Sequence, residues 1–176
     1  DYLASVAANF SGIKMGGLIR FYDNNMYYRR PVIFGEIINE KPTLKSNLSQ
    51  LKELNPGAKT KAVVPGPYSL YMLSEDKFYS TEAEGISAYA EALQEEVSTL
   101  DADYIQIDEP SLSYEMDKDL FPIVYDAIND VVDSSNGKTI VSTYFGDLKT
   151  CVSELAELNS DYIGIDCVSF EGNLDV

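Results

Sequence analysis

The chain has 176 residues, enough for one domain of ordinary size, and 45 % of them are hydrophobic, so it can bury a core. Its 29 acidic residues against 13 basic ones give a net charge of −16, which argues against a nucleic-acid partner and an anionic membrane surface, both of which demand Lys and Arg. There is no histidine, so Ser-His-Asp, Cys-His and His-ligated metal chemistry are excluded within these residues. Cys151 and Cys167 have no CxxC partner and are expected to be small buried thiols in reduced form, as in a cytoplasmic protein. No apolar run approaches the roughly 20 residues that a bilayer span needs, and no signal peptide is evident.

Leu3, Val6, Ala7 and Phe10 fall at helical spacing, and Ser11-Gly12 closes that helix. After Gly16-Gly17, residues 18–22 read as a strand that ends in Asp23-Asn24-Asn25, loop or site material. A second apolar run, Val32-Ile33-Phe34, is broken at Gly35, and Glu36-Ile37-Ile38 continues it as a bulged or edge segment. Leu44, Leu48, Leu51 and Leu54 share one helical face, stopped by Asn55-Pro56-Gly57. Residues 61–64 form the next strand, and Pro65-Gly66-Pro67 makes a rigid exit where backbone can approach a ligand closely.

Thr81 and Glu84 fit a capping box. The helix behind it has Ile86, Ala90, Leu93, Val97 and Leu100 as its apolar stripe, with Glu82, Glu91, Glu95 and Glu96 expected outside. Residues 104–107 then form a strand that turns sharply polar at Asp108 and Glu109 and stops at Pro110. A short apolar run of this kind reads as a parallel strand covered on both faces, and ligands of α/β folds sit at the carboxyl ends of such strands. A loop over 111–118 leads to a helix with Pro122 in its first turn. Residues 139–143 form a strand, Asp147 reads as an N-cap, Val152, Leu155 and Leu158 line a helix, and residues 162–165 form the last strand, ending at Asp166.

All three arginines, Arg20, Arg29 and Arg30, lie within eleven residues, a candidate anion site in so acidic a chain. The chain also echoes itself: Ala102-Asp103-Tyr104-Ile105-Gln106-Ile107-Asp108 matches Ser160-Asp161-Tyr162-Ile163-Gly164-Ile165-Asp166. Strand and helix alternate throughout, and repeated βα units with polar strand exits point to an α/β fold of the (β/α)8 TIM-barrel type. Five or six of its eight strands are present, so residues 1–176 read as a single partial barrel domain. A doubly wound sheet is the alternative, but no G-x-G-x-x-G turn follows any strand.

Several stretches together resemble the amino-terminal half of cobalamin-independent methionine synthase. Residues 20–31 are similar to its aromatic, Asn-rich stretch, and Pro65-Gly66-Pro67-Tyr68-Ser69-Leu70 to its Gly-Pro-Val-Thr strand exit. Gln106-Ile107-Asp108-Glu109-Pro110-Ser111-Leu112 resembles its Gln-Ile-Asp-Glu-Pro-Ala-Leu signature, Ser142-Thr143-Tyr144-Phe145-Gly146 its Thr-Tyr-Phe segment, and Ile165-Asp166 its next strand end. The order holds from about residue 17 to 170.

The resemblance implies a methyltransferase of methionine and amino-acid biosynthesis, which moves a methyl group from methyltetrahydropteroyl-glutamate to homocysteine. It implies two barrels, with a zinc-activated thiolate in the carboxy-terminal one, held by a His-x-Cys pair, a Glu and a second Cys. This chain resembles the amino-terminal barrel, so it is expected to bind no cofactor itself and to work with a zinc-bearing catalytic barrel in cis or in trans. Arg20 falls where the family has a Lys that contacts the folate's polyglutamate tail, and Arg keeps that charge. With Arg20, Asn25, Asp108, Glu109 and Asp166 are the expected substrate-binding residues, Asp108 and Glu109 the candidate catalytic carboxylates, and no metal ligand is assigned. The alternatives are a non-catalytic barrel that docks onto a separate catalytic subunit, and a glycosidase built on Asp108 or Glu109 with Asp166. The latter needs two carboxylates facing each other across a substrate.

Overall fold

The computed structural model describes residues 2–149 and 151–175. A short helix, α1 (Tyr2–Ala7), leads into two long strands, β1 (Ser11–Arg20) and β2 (Tyr27–Ile38), that pair antiparallel. This corrects the expectation of strand–helix alternation throughout. Only six residues, 21–26, join the two strands, too few for the crossover that a parallel pair requires. The Asn24 side chain closes the turn by accepting from the Met26 N–H at 2.7 Å, and the Phe21 N–H donates to the Met26 carbonyl at 2.8 Å. Glu36-Ile37-Ile38 continues the second strand past Gly35, as expected, and ends β2. A two-residue strand, β4 (Glu75–Asp76), runs parallel to β2 and completes this sheet.

The second sheet is parallel and has the order β3 (Lys61–Pro65), β5 (Tyr104–Asp108), β6 (Lys138–Ser142), β7 (Tyr162–Gly164). Its helices are α2 (Leu44–Leu54), α3 (Pro67–Met72), α4 (Glu82–Ser98), α5 (Phe121–Asp133) and α6 (Val152–Leu155). The helix α3, directly after Pro65-Gly66, was not foreseen: Pro67 takes its first turn, where a missing N–H costs nothing. Ile105 and Ile107 enter the same apolar core as Leu93 and Val97 of α4 and Val124 and Ile128 of α5. Full burial of such a side chain stabilises by about 1.5–3 kcal/mol. The alternate residues Tyr104 and Gln106 are only half buried. The sheet is therefore covered by helices on one face and open and polar on the other, not covered on both as the apolar run suggested.

Glu96 corrects another expectation. It turns inward, not outward, and its carboxylate accepts from the Thr43 N–H (2.9 Å), the Leu44 N–H (2.6 Å) and the Asn39 amide (2.9 Å). One helix thereby satisfies the free N–H groups at the start of another, α2. Thr81 caps α4 as the capping box predicts, accepting from the Glu84 N–H at 3.3 Å, while Glu84 returns its bond to the Ser80 N–H. Asp147 caps only a turn, through the Lys149 N–H, and α6 begins later.

The sequence echo has a structural meaning at the strand entries. Asp103 accepts from the Thr60 N–H at 2.7 Å, and Asp161 from the Thr139 N–H at 2.8 Å. Each Thr hydroxyl in turn faces the N–H of its Asp. These backbone donors hold both carboxyls below the usual carboxylate range. Cys151 is buried and Cys167 only partly so, both as free thiols. No helix among the described residues is long and apolar enough to cross a membrane.

Candidate functional site

The parallel register sets Pro65, Asp108, Ser142 and Gly164 side by side in one row at the carboxyl ends of the strands. Asp108 is buried there, and each of its oxygens is held: Oδ1 accepts from the Gln106 amide at 2.7 Å, Oδ2 from the Tyr144 hydroxyl at 3.1 Å. The Gln106 carbonyl oxygen accepts from the Lys61 ammonium at 2.6 Å, which fixes the amide's orientation. One polar line, Lys61–Gln106–Asp108–Tyr144, thus crosses β3, β5 and the β6 exit. Its effect is a carboxylate fixed in orientation.

Glu109 points elsewhere. It is fully buried, and its carboxylate accepts from the Tyr68 N–H at 3.0 Å and the Ser69 N–H at 2.7 Å in the first turn of α3. Burial pushes its carboxyl up to about 7, with the neighbouring Asp108 charge adding to the rise and the Ser69 and Tyr68 hydrogen bonds pulling against it. Gly66 is required beside it, because a Cβ there would collide with the Glu109 carboxylate. The geometry makes Glu109 a pin between the β3 and β5 exits. Asp166 also serves its own loop: it accepts from the Val168 and Ser169 N–H groups, and the latter holds its carboxyl low. Three of the sequence-derived site residues, Asp108, Glu109 and Asp166, therefore share one edge of the sheet, each with different partners.

The β1 exit docks onto that edge. Tyr22 is joined to Ser111 through their hydroxyls, and the Ser111 N–H donates to Ser69 Oγ. Tyr22 stacks on Tyr114 with ring centroids 5.2 Å apart and 16° between planes, and Phe145 lies against both Phe21 and Tyr22. Burial raises the Tyr22 phenol. Tyr22 and Phe145 both have positive φ, 51° and 67°, an unfavourable setting for bulky residues that this aromatic cluster holds in place. Strain of this kind collects at functional sites. Tyr22, Tyr114 and Tyr144 were not singled out from the sequence, although aromatic residues at successive strand exits were the available signal.

Arg20 ends β1 immediately before this cluster and is exposed; Asn25 is exposed in the turn that follows. The three arginines do not form one cluster. Arg30 donates to the Ser74 carbonyl at 2.9 Å, while Arg20 and Arg29 lie on the hairpin's other side.

Zinc does not fit these residues. The sequence has no histidine, and no group of three His, Cys, Asp or Glu side chains is placed to hold a metal among the described residues. The Cys151 thiol is pushed up to about 11 by burial, which keeps it protonated and a poor ligand.

Residues 10–176 match the family model described as the amino-terminal domain of cobalamin-independent synthase. The chain belongs to the cobalamin-independent methionine synthase family. It is 28% identical over 189 aligned positions to the 5-methyltetrahydropteroyltriglutamate–homocysteine methyltransferase of Lactococcus lactis, covering 99% of this chain and 24% of that protein. It is 25% identical over 162 positions to the methionine synthase of Sulfolobus acidocaldarius, covering 90% of this chain and 47% of that protein. The B12-independent methionine synthase of Shewanella sp. W3-18-1, solved with selenomethionine, superposes with a TM-score of 0.78 at 18% identity, over 92% of this chain and 53% of that one. That superposition shows a shared α/β fold. The chain spans a quarter to a half of the length of these relatives.

Proposed function

We propose that this chain is the amino-terminal barrel part of a methionine-synthase-type methyltransferase, which binds methyltetrahydropteroyl-glutamate through its tail and leaves thiolate activation to a zinc-bearing barrel in cis or in trans. The relatives named above are methyltransferases of this kind, and the absence of a fitting zinc donor set supports the division of labour. The open, polar face of the parallel sheet supports a barrel that further strands complete.

The observation that carries the reading is the docking of the β1 exit, with Arg20 at its end, onto the β5 exit that holds Asp108. A guanidinium and a fixed carboxylate at one mouth can orient a substrate that is anionic at one end and carries a hydrogen-bond donor at the other. Asp108 orients, Glu109 pins the adjoining exits of β3 and β5, and Asp166 orders its own loop. None of these groups needs to move a proton.

Tail-length-dependent affinity tests this. In the full polypeptide that carries this chain, Arg20→Glu is expected to weaken the triglutamate form of the folate about tenfold or more, and the monoglutamate form far less. Equal losses for both forms would remove the tail contact from the reading.

A further inference from the structure

A trough runs between α4 and the end of β2. It consists of two adjoining hollows, of about 490 and 330 Å³, which share Glu36, Ile37 and Glu91. None of Arg20, Asn25, Asp108, Glu109 and Asp166 lines it, so it is independent of the proposed folate mouth. Its walls are acidic: Glu36 comes from β2, and Glu84, Glu91 and Glu95 come from the outer side of α4, all exposed. Glu84 is already in use, accepting from the Ser80 N–H. Glu36, Glu91 and Glu95 form no ion pair among the described residues, and no Lys or Arg is among those that line the trough. The Tyr79 phenol on its wall is raised chiefly by burial, against the pull of its bond from the Ile37 N–H, and the charges of Glu36 and Glu91 add to the rise.

Acidity alone would mean little in a chain with a net charge of −16. The floor sets this trough apart. Asn39 lies there and is 7% exposed. Its Nδ2 donates to the Ala92 carbonyl at 3.2 Å and to the Glu96 carboxylate at 2.9 Å. Both partners are acceptors, so the orientation of the amide is fixed and its oxygen faces away from them. That Oδ1 is buried and has no hydrogen-bond partner among the described residues. Buried acceptors are nearly always satisfied. An acceptor that lacks a donor, under walls of unpaired carboxylates, calls for a donor that also carries positive charge.

We propose that this trough binds a linear aliphatic diamine or polyamine, with one ammonium donating to Asn39 Oδ1 and the carboxylates of Glu36, Glu91 and Glu95 holding the charges. An ammonium has three donors and no acceptor, so it satisfies the amide oxygen and a carboxylate together. Glu91 and Glu95 are four residues apart on α4, a rise of about 6 Å. Two nitrogens joined by four methylenes are five bonds apart, roughly 6 Å when extended. The methylenes between them can lie on Ile38 and Ala92, which line the same hollow. A metal ion fits less well, because no three of the described carboxylates converge to hold one.

Calorimetric titration of the full polypeptide with three probes tests this: 1,4-diaminobutane, its N,N,N′,N′-tetramethyl form and its bis(trimethylammonium) form. All three carry two charges at the same spacing, but the last has no N–H to offer Asn39. It is expected to bind at least about tenfold more weakly than the parent diamine, while the tetramethyl form, nearly as bulky but with one N–H on each nitrogen, stays close to the parent. Glu91→Gln is expected to lose about fivefold or more on the diamine, and Glu53→Gln, an exposed acidic position on α2, to bind as the wild type does. A thermal melt checks both variants, and neither should shift much because both positions are exposed. Equal binding of all three probes, or equal losses in the two variants, would reduce the trough to undirected charge and overturn the proposal. So would a tetramethyl form as weak as the quaternary one, which would make bulk and not donation the determinant, or no binding of the diamine at millimolar concentration.

Discussion

Tyr22 and Ser111 are joined hydroxyl to hydroxyl at 2.8 Å, although 89 residues separate them in the chain. Ser111 passes the connection on: its N–H donates to Ser69, and Ser69 bonds the buried Glu109 carboxylate. The antiparallel hairpin, the first turn of α3 and the exit of β5 are thus held by one polar chain. Asp108 sits beside it on β5, and Arg20 sits two residues before Tyr22 on β1.

Glu109 makes the stability of the fold depend on pH. Burial raises its carboxyl from 4.5 to about 7 in the folded state, so the folded state holds the proton more tightly than the unfolded one. The resulting stabilisation is complete below about pH 4.5 and is lost as pH rises through 7. The displacement corresponds to about 3 kcal/mol. Urea unfolding at pH 5, 6, 7 and 8 should show wild type losing stability relative to Glu109→Gln across this window. Parallel curves for the two proteins would mean that Glu109 is not the responsive group.

Gly66→Ala should be costly despite its small size. The added methyl has nowhere to go except into the Glu109 carboxylate, so either α3 or Glu109 must shift. Overpacking of this kind costs about 1–3 kcal/mol, and here it also lengthens two hydrogen bonds to α3. The midpoint of urea unfolding reads the first effect. An amide exchange rate raised at Tyr68 and Ser69, above the rise that the stability loss alone produces, reads the second.

Glu96→Ala should unfasten α2. It removes the acceptor for two partly buried backbone N–H groups and for the buried Asn39 amide. Unsatisfied donors of this kind cost about 1–3 kcal/mol each, with partial relief from water entering. A loss of about 3 kcal/mol overall is expected, with amide protection falling first at Thr43 and Leu44. Uniform loss of protection across the chain would place the role of Glu96 elsewhere.

What was legible in the sequence followed local chemistry. The Thr81 cap, the Asn55-Pro56-Gly57 stop and the apolar stripe of α4 depend on neighbours a few residues away, and each is found where periodicity puts it. The parallel strands β3, β5, β6 and β7 were equally clear, as was the row of polar exits. The β1–β2 pairing was missed because Asn24 closes the turn with its side chain, and an Asp-Asn-Asn run reads equally well as a loop. Glu96 was misplaced because its partners, Asn39, Thr43 and Leu44, lie more than fifty residues away. The same holds for the site. Asp108 was identified as a strand-exit carboxylate, but nothing local reveals that Tyr144 binds it, or that Glu109, its equal in sequence, is committed to α3.

A double-mutant cycle on Tyr22→Phe and Ser111→Ala tests the junction of the two strand exits most directly, because the pair joins the segment that follows Arg20 to the segment that follows Asp108. Urea unfolding of the wild type, both single variants and the double variant should give a coupling of about 1 kcal/mol. Strictly additive losses, within about 0.3 kcal/mol, would mean that the two exits do not meet.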